Sequence, residues 1–248
     1  MDKNNKEKNY IIGRNAVCEA FKSGRIIDSL YVLSGEKSGI IKEIIGKAAE
    51  KKVPLKYVNK KSMDSLACGE NHQGIIAVAG AKESCSVDDI LNYAKSKNEP
   101  PFIIIADGIE DPHNLGAIIR TAECVGAHGV IIPRRRSVGI TFGVDKSSAG
   151  ALEYVLVAKV GNISSAIDIL KEKGLWIYGA DMDGKKWSNE DLTGPLALVI
   201  GSEGKGISKL VKSKCDFILS LPMRGKINSL NASVAAGVLM YEVRRQRG

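Results

Sequence analysis

Three polar clusters hold the residues with which this chain can position a ligand. The first is "DPHN" at 111–114, which leads into a helical pattern carrying Arg120. A second is Glu203, set between glycines in "GSEGKGIS", and the third is "INSLNAS", where Asn228, Ser229, Asn231 and Ser233 precede a final helical pattern. Each has an ordinary structural reading. "DPHN" is a turn with Asn114 opening the helix, Arg120 is a surface ion-pair partner, and Glu203 is an exposed turn acid or a charge favouring the next helix start. Capping, however, needs one residue, and "INSLNAS" offers four. Two other runs mimic known sites. "GSEGKGIS" has the wrong Gly and Lys spacing for a phosphate loop, and "DMDGKKW" lacks the later Glu of a calcium loop, which leaves a turn.

These clusters need strands and helices to hold them. From residue 102 the runs "FIIIA", "GVIIP", "YVLVAKV", "LWIYGA", "LALVIG" and "FILSL" are continuously apolar, with helical stretches between several of them. Strands of that kind are buried on both faces, as in a parallel sheet covered by helices. In "NLGAIIRTAECVGAHG" the stripe Leu115, Ile118, Ile119, Ala122 and Val125 predicts an amphipathic helix from whose apolar face Arg120 is excluded. Ligands of open parallel sheets lie outside the carboxyl ends of the strands. The loops "DGIEDPHN", "DMDGKK", "SEGKGIS" and "PMRGKINSLN" are therefore the candidate binding loops. No Gly-x-Gly-x-x-Gly follows "FIIIA", which argues against an ordinary dinucleotide site or the usual open-sheet methyltransferase loop.

Upstream, residues 10–80 alternate short β-branched runs with helical patterns and predict a small α/β unit. A polar stretch closed by a double proline, 81–100, reads as a linker with one short helix capped by Ser86. The domains expected are thus 1–80, the linker 81–100, and 101–248, after a disordered polar arm of nine residues. The net charge is +8, and residues 1–80 hold 14 Lys and Arg against 9 Asp and Glu, which favours an anionic partner gripped there. Five scattered cysteines without a Cys-x-x-Cys pair read as reduced thiols of a cytoplasmic protein, with no secretion signal or membrane span. The three histidines, His72, His113 and His128, lack zinc spacing and read as loop or surface residues, so no metal is expected.

"DPHNLGAIIRTAECVGAHGVII", "LALVIGSEGKGIS" and "LPMRGKINSLNASVAAGVLMYE", in that order, resemble the three signature motifs of the SpoU (TrmH) family of RNA ribose 2'-O-methyltransferases. "IIGRNAVCEAF" and "NHQGIIAVAG" resemble the small ribosomal-protein-like RNA-binding domain that precedes the catalytic domain in the RlmB-type branch. The resemblance covers about residues 10–246. It implies an α/β fold: that small domain at 1–80, then a parallel-sheet SPOUT-type catalytic domain at 101–248 with a C-terminal trefoil knot. General topology rules would have rejected the knot. It also implies S-adenosylmethionine as methyl donor, RNA as substrate and a homodimer whose active site is completed across the interface. The small residues Ala232, Ala235, Ala236 and Gly237 suit close packing of the last helix.

Carried across motif by motif, the resemblance assigns Asn114, Arg120, Glu203, Ser229 and Asn231 to catalysis. It assigns Ala180, Gly201, Leu221, Met223 and Leu230 to the cofactor pocket. Asn228 and Ala232 depart mildly from the family pattern, at positions away from the reacting groups. Arginine is a poor base unaided. Arg120 is therefore expected to bind and activate the target ribose or its adjacent phosphate, through which the proton can leave, while Ser229 and Asn231 hold the hydroxyl in register and Glu203 orients the loop. Arg14, His72 and Gln73 are the candidate RNA contacts, although Gln73 also suits a turn cap. The leading domain favours a guanosine of 23S rRNA; tRNA or an antibiotic-binding rRNA site is the alternative. Two more distant readings are a non-catalytic RNA-binding assembly protein and a nucleotide-dependent oxidoreductase.

Overall fold

A computed structural model of the chain describes residues 9–36, 38–80 and 85–248. The polar arm expected at the N-terminus, Asn9 apart, lies outside the described residues. The chain divides into two compact units, Met1–Glu83 with Ala149–Tyr154, and Ser84–Ser148 with Val155–Gly248.

In the first unit, β1 (Asn9–Ile12), β2 (Ile27–Leu33), β3 (Leu55–Val58) and β4 (Ile75–Ala79) form a sheet of order β1-β4-β2-β3. Strand β4 runs antiparallel to β1 and β2, and β3 is parallel to β2. Helices α1 (Arg14–Lys22), α2 (Gly39–Glu50) and α3 (Lys60–Leu66) complete it. Val17 and Phe21 of α1 and Ile41 and Ile44 of α2 close a core against Ile11, Leu30, Val32 and Ile75. The segment Ala149–Tyr154 joins this unit by polar contacts. Glu153, almost wholly buried, pairs with Arg25, and the Tyr154 hydroxyl donates to Glu19 at 2.6 Å. Burial makes such a pair costly to break on one side.

The second unit is a six-stranded, all-parallel sheet of order β10-β8-β9-β5-β6-β7. Its strands are β5 (Phe102–Asp107), β6 (Gly129–Pro133), β7 (Leu156–Val160), β8 (Trp176–Lys186), β9 (Leu196–Gly201) and β10 (Phe217–Ser220). Every apolar run predicted as a strand from residue 102 onward forms one. Strand β9 is buried from end to end and β5 along its first five residues, which is why their sequences do not alternate. Helices α4 (Val87–Ser96) and α7 (Ile163–Glu172) place Ile90, Ile163, Ile167 and Leu170 against Ile103, Ile105, Ile131, Ile177 and Val199. Helix α5 (Pro112–Cys124) packs on α6 (Phe142–Ser147), on β6 and on α9 (Ala232–Arg247), while the short α8 (Lys209–Lys212) precedes β10.

Residues 85–100 fold with the second unit, so α4 is a core element rather than part of a linker. The cap expected at Ser86 is present. Its hydroxyl accepts from the Asp89 amide at 3.1 Å, and the Asp89 carboxylate accepts from the Ser86 amide at 2.8 Å. Ile90 is fully buried and presses on Gly129, where any Cβ would lie 2.6 Å from its terminal methyl.

Candidate active site

Strand order decides where the three polar clusters meet. After β5 the chain turns to one side, through α5 into β6, and after β9 it turns to the other, through α8 to β10 at the far edge. Because β5 and β9 are neighbours, their carboxyl-end loops diverge and open a crevice between them, where open α/β sheets bind ligands. Asp107, the last residue of β5, spans it by accepting from the Ser208 amide at 2.9 Å.

The β5 loop ends in a cap at Asp111, not Asn114. The Asp111 carboxylate accepts from the His113 amide at 2.9 Å, and Pro112 occupies the first helical position, where a missing N–H costs nothing. That leaves Asn114 in the first turn of α5, buried and pointing into the crevice network. The β9 loop folds back sharply. Two backbone hydrogen bonds join Ser202 and Gly206, at 3.1 and 2.9 Å, and a Cβ on Gly201 would lie 2.1 Å from the Gly206 carbonyl carbon. Gly204 and Gly206 both have positive φ. The glycine spacing in "GSEGKG" thus belongs to a tight return that presents Glu203.

Asn231 closes the network and has two functions. Its carbonyl oxygen accepts from the Ser233 and Val234 amides, at 2.9 and 3.3 Å, and so caps α9. Those two backbone donors fix the amide's orientation, which turns its NH2 toward the crevice. There the NH2 donates to the Asn114 carbonyl oxygen at 3.0 Å and to the Glu203 carboxylate, and the Asn114 NH2 donates to the same carboxylate at 3.0 Å. One residue from each motif therefore meets in a closed triangle of side chains.

Arg120 and Ser229 lie outside that triangle. Both are exposed, and among the described residues neither forms a hydrogen bond or ion pair. Arg120 sits six residues beyond Asn114 on α5, which places the two roughly 120° apart around the helix axis. It emerges beside the packing of α5 on α9, where a Cβ on Gly237 would lie 3.9 Å from the Thr121 methyl. The small-residue face of α9, with Ala232 and Ala236 buried, is thus used within the chain. Asn228 is also exposed.

The five residues expected at the cofactor lie at the carboxyl ends of three adjacent strands. Ala180 is in β8, Gly201 ends β9, and Leu221, Met223 and Leu230 follow β10. From Leu221 to Asn231 the backbone runs outside any helix or strand. Nearby, burial pushes the Cys215 thiol up to about 12, which leaves it an unreactive thiol.

In the first unit Arg14, His72 and Gln73 do come together, largely by satisfying one another. The Gln73 side-chain oxygen accepts from the Arg14 amide at 2.9 Å, at the start of α1, and its carbonyl accepts from the Arg14 guanidinium at 2.8 Å. His72 is buried, accepting from the Gly74 amide at 2.9 Å and facing Asp64 at 3.2 Å. That geometry gives His72 a turn-forming role and Gln73 the role of a cap at α1, and the partly exposed Arg14 guanidinium, paired with Glu36 at 3.5 Å, is what remains for a ligand. Nor is His128 a surface residue. It is buried, with Nδ1 accepting from the Phe102 amide at 3.0 Å.

Comparisons with known proteins agree with this architecture. Residues 101–241 match the SpoU rRNA Methylase family, and residues 10–85 match the family described as RNA 2'-O ribose methyltransferase substrate binding. The chain is 48% identical over 242 residues to YacO of Bacillus subtilis (strain 168), provisionally named a TrmH family tRNA/rRNA methyltransferase, with 97% of each chain covered. A similarly named protein of Staphylococcus haemolyticus is 46% identical, covering 96% of this chain and 95% of that one. Among solved structures, the SpoU methyltransferase AviRb from Streptomyces viridochromogenes, in complex with AdoMet, superposes with a TM-score of 0.82 at 24% identity. It covers 99% of this chain and 94% of its own, a likeness of fold.

Proposed function

The chain belongs to the SpoU (TrmH) family of RNA methyltransferases, and we propose that it methylates a ribose 2'-hydroxyl of RNA at the crevice where Asn114, Glu203 and Asn231 meet. The observation that carries this reading is the hydrogen-bonded triangle. Residues 89 and 117 positions apart in sequence, drawn from three separate motifs, are locked together at the sheet's switch point.

S-adenosylmethionine supplies an electrophilic methyl group on a sulfonium centre. The residues present suit it: half-buried Leu221 and Met223 and exposed Leu230 offer apolar contact, and the irregular backbone around them presents amides and carbonyls for a nucleoside. Transfer to a hydroxyl is an in-line displacement, so the protein must above all fix the acceptor, a task worth on the order of 7–11 kcal/mol in favourable cases. The triangle does this by freezing the start of α9 and the Glu203 loop, and Ser229, two residues before Asn231, faces the acceptor. Arg120, a fixed cation, holds the acceptor ribose or its adjacent phosphate through charge-assisted hydrogen bonds, and that phosphate takes the proton.

The substrate we infer is a guanosine of 23S rRNA, as in the RlmB-type branch. The leading domain at residues 10–85 supports it, as does that domain's excess of basic residues, which suits phosphate contacts. Arg14 is its candidate contact. We also infer a C-terminal trefoil knot and a cytoplasmic homodimer. Supporting the dimer, Val234, Val238 and Tyr241 of α9 form a stripe at helical spacing that is 39–56% exposed. Arg120 emerges beside the α5 and α9 contact, from which it can serve a second copy's crevice. Mapping 2'-O-methyl marks on ribosomal and transfer RNA from a deletion strain tests the substrate. One guanosine mark lost from 23S rRNA is the expected result, loss from tRNA alone would move the assignment to tRNA, and an unchanged map would overturn the proposal.

A further inference from the structure

Strand β6 ends at Pro133 and leads into "RRRS", and Arg134, Arg135 and Arg136 are all exposed at the carboxyl end of the sheet. Strand β6 lies beside β5, so this loop neighbours the one that delivers Asn114. The two are joined directly: the Val138 amide donates to the Ile109 carbonyl at 2.8 Å, and a Cβ on Gly108 would lie 3.8 Å from the Arg136 carbonyl oxygen.

The loop is held firmly by its backbone. The Arg134 amide extends the ladder to the Val160 carbonyl at 2.8 Å, and the Ser137 hydroxyl donates to the Pro133 carbonyl at 3.0 Å. Arg136 sits at φ 61°, a left-handed conformation uncommon for a side chain of this size. Arg134 donates from Nε to the Lys159 carbonyl at 3.2 Å, whereas among the described residues the guanidinium groups of Arg135 and Arg136 have no acidic or hydrogen-bonding partner. Consecutive cations on a rigid turn repel one another, and among the described residues no acidic side chain offsets that repulsion. A polyanion would. Planar guanidinium groups bind phosphate through paired hydrogen bonds.

We propose that Arg135 and Arg136 form a phosphate clamp on the catalytic unit, receiving the RNA backbone that flanks the target nucleotide. This rests on the RNA methyltransferase reading above and adds to it a contact surface outside the N-terminal domain. The Val138 to Ile109 tether couples the clamp to α5, so gripping the flanking backbone places the target ribose over the crevice.

The test compares RNA binding by the full-length protein, at several salt concentrations, between wild type, Arg135→Gln/Arg136→Asn and the control Lys95→Gln/Lys173→Gln. Asparagine tolerates the left-handed turn. The control removes two exposed charges, one each from near the ends of α4 and α7, at the amino end of the sheet. Wild type is measured on 23S rRNA fragments and transfer RNA. Each lost phosphate contact lowers the slope of log affinity against log salt by roughly 0.7 on single strands or 0.9 on duplex. The double arginine variant is therefore expected to lose about 1.4–1.8 from the slope, the control to keep the wild-type slope, and both to keep wild-type affinity for S-adenosylmethionine by calorimetry. An unchanged slope in the arginine variant, with wild type binding RNA, overturns the clamp alone. An equal fall in the control overturns it too, since the effect would then be diffuse charge. Wild type that binds neither RNA overturns the clamp together with the reading on which it rests.

Discussion

The two ends of the six-stranded sheet use polar groups in opposite ways. At the amino end, Arg247 and His128 spend hydrogen bonds on the backbone. The Arg247 guanidinium donates to the carbonyls of Pro100 and Pro101, at 2.8 and 3.3 Å, reaches those of Leu192 and Gly194, and lies over the Phe102 ring at 5.2 Å. His128 accepts from the Phe102 amide and faces Glu99. A cavity of about 230 Å³ also opens here, walled by Trp176, Tyr178, Leu196 and Phe217, and the Tyr178 hydroxyl is tied to the Asp191 carbonyl at 2.8 Å. At the carboxyl end, Asn114, Glu203 and Asn231 bind one another, while Ser229, Arg135 and Arg136, with Arg120 farther along α5, keep their hydrogen-bonding capacity among the described residues. Polar groups with their bonds filled stabilise a fold, and those held in place with bonds to spare can recognise a ligand.

The contrast can be tested from both ends, beginning with the largest effect. Arg120→Ala should lower the methyl-transfer rate by roughly 10²–10³-fold, the scale of losing one charge-stabilising donor, with S-adenosylmethionine binding retained. Full activity in radiolabel transfer would remove Arg120 from the mechanism. For Arg247→Met the expected loss is about 2–4 kcal/mol of stability, because several carbonyls lose a charged donor together; urea melts measure it. A loss of activity without a loss of stability would erase the difference between the two ends. Asn231→Asp keeps an acceptor for the α9 cap but sets a second carboxylate against Glu203. Methyl transfer should fall roughly 10- to 100-fold, while the melting temperature changes little.

The smallest effect concerns pH. Burial holds the His128 imidazole below its ordinary value, so the folded state favours the neutral form and the unfolded state takes up the proton first as pH falls. The stability that His128 contributes is complete above about pH 6.5 and declines as pH drops from there toward its folded value. His128→Gln should flatten the difference between melts at pH 7.5 and pH 5.5, and an unchanged difference would discard the assignment.

Much of this was legible in the linear chain. Continuous apolar runs such as "FIIIA" and "LALVIG" marked strands buried on both faces, since only a parallel sheet covered by helices removes the need to alternate. The Arg120 helix showed its exposed face by spacing alone. Two local readings failed for local reasons. In "DPHN" either Asp111 or Asn114 can cap, and the proline following Asp111 favours the aspartate. In 81–100 a polar surface helix resembles a linker because only Ile90 and Ala94 of α4 are buried. His128 could not be placed from sequence because what buries it is the start of β5, 26 residues upstream.

The sequence by itself determined the strands, the parallel sheet and the three polar clusters, because hydrophobic period and residue type act over a few neighbouring residues. Tertiary structure alone decided that Asn114, Glu203 and Asn231 share one carboxylate, because that depends on β9 inserting beside β5, a pairing of strands about 90 residues apart. It also decided that Asn231 caps a helix through its oxygen while bridging the site through its nitrogen. Capping is local, but the bridge needed a partner that the linear chain does not identify.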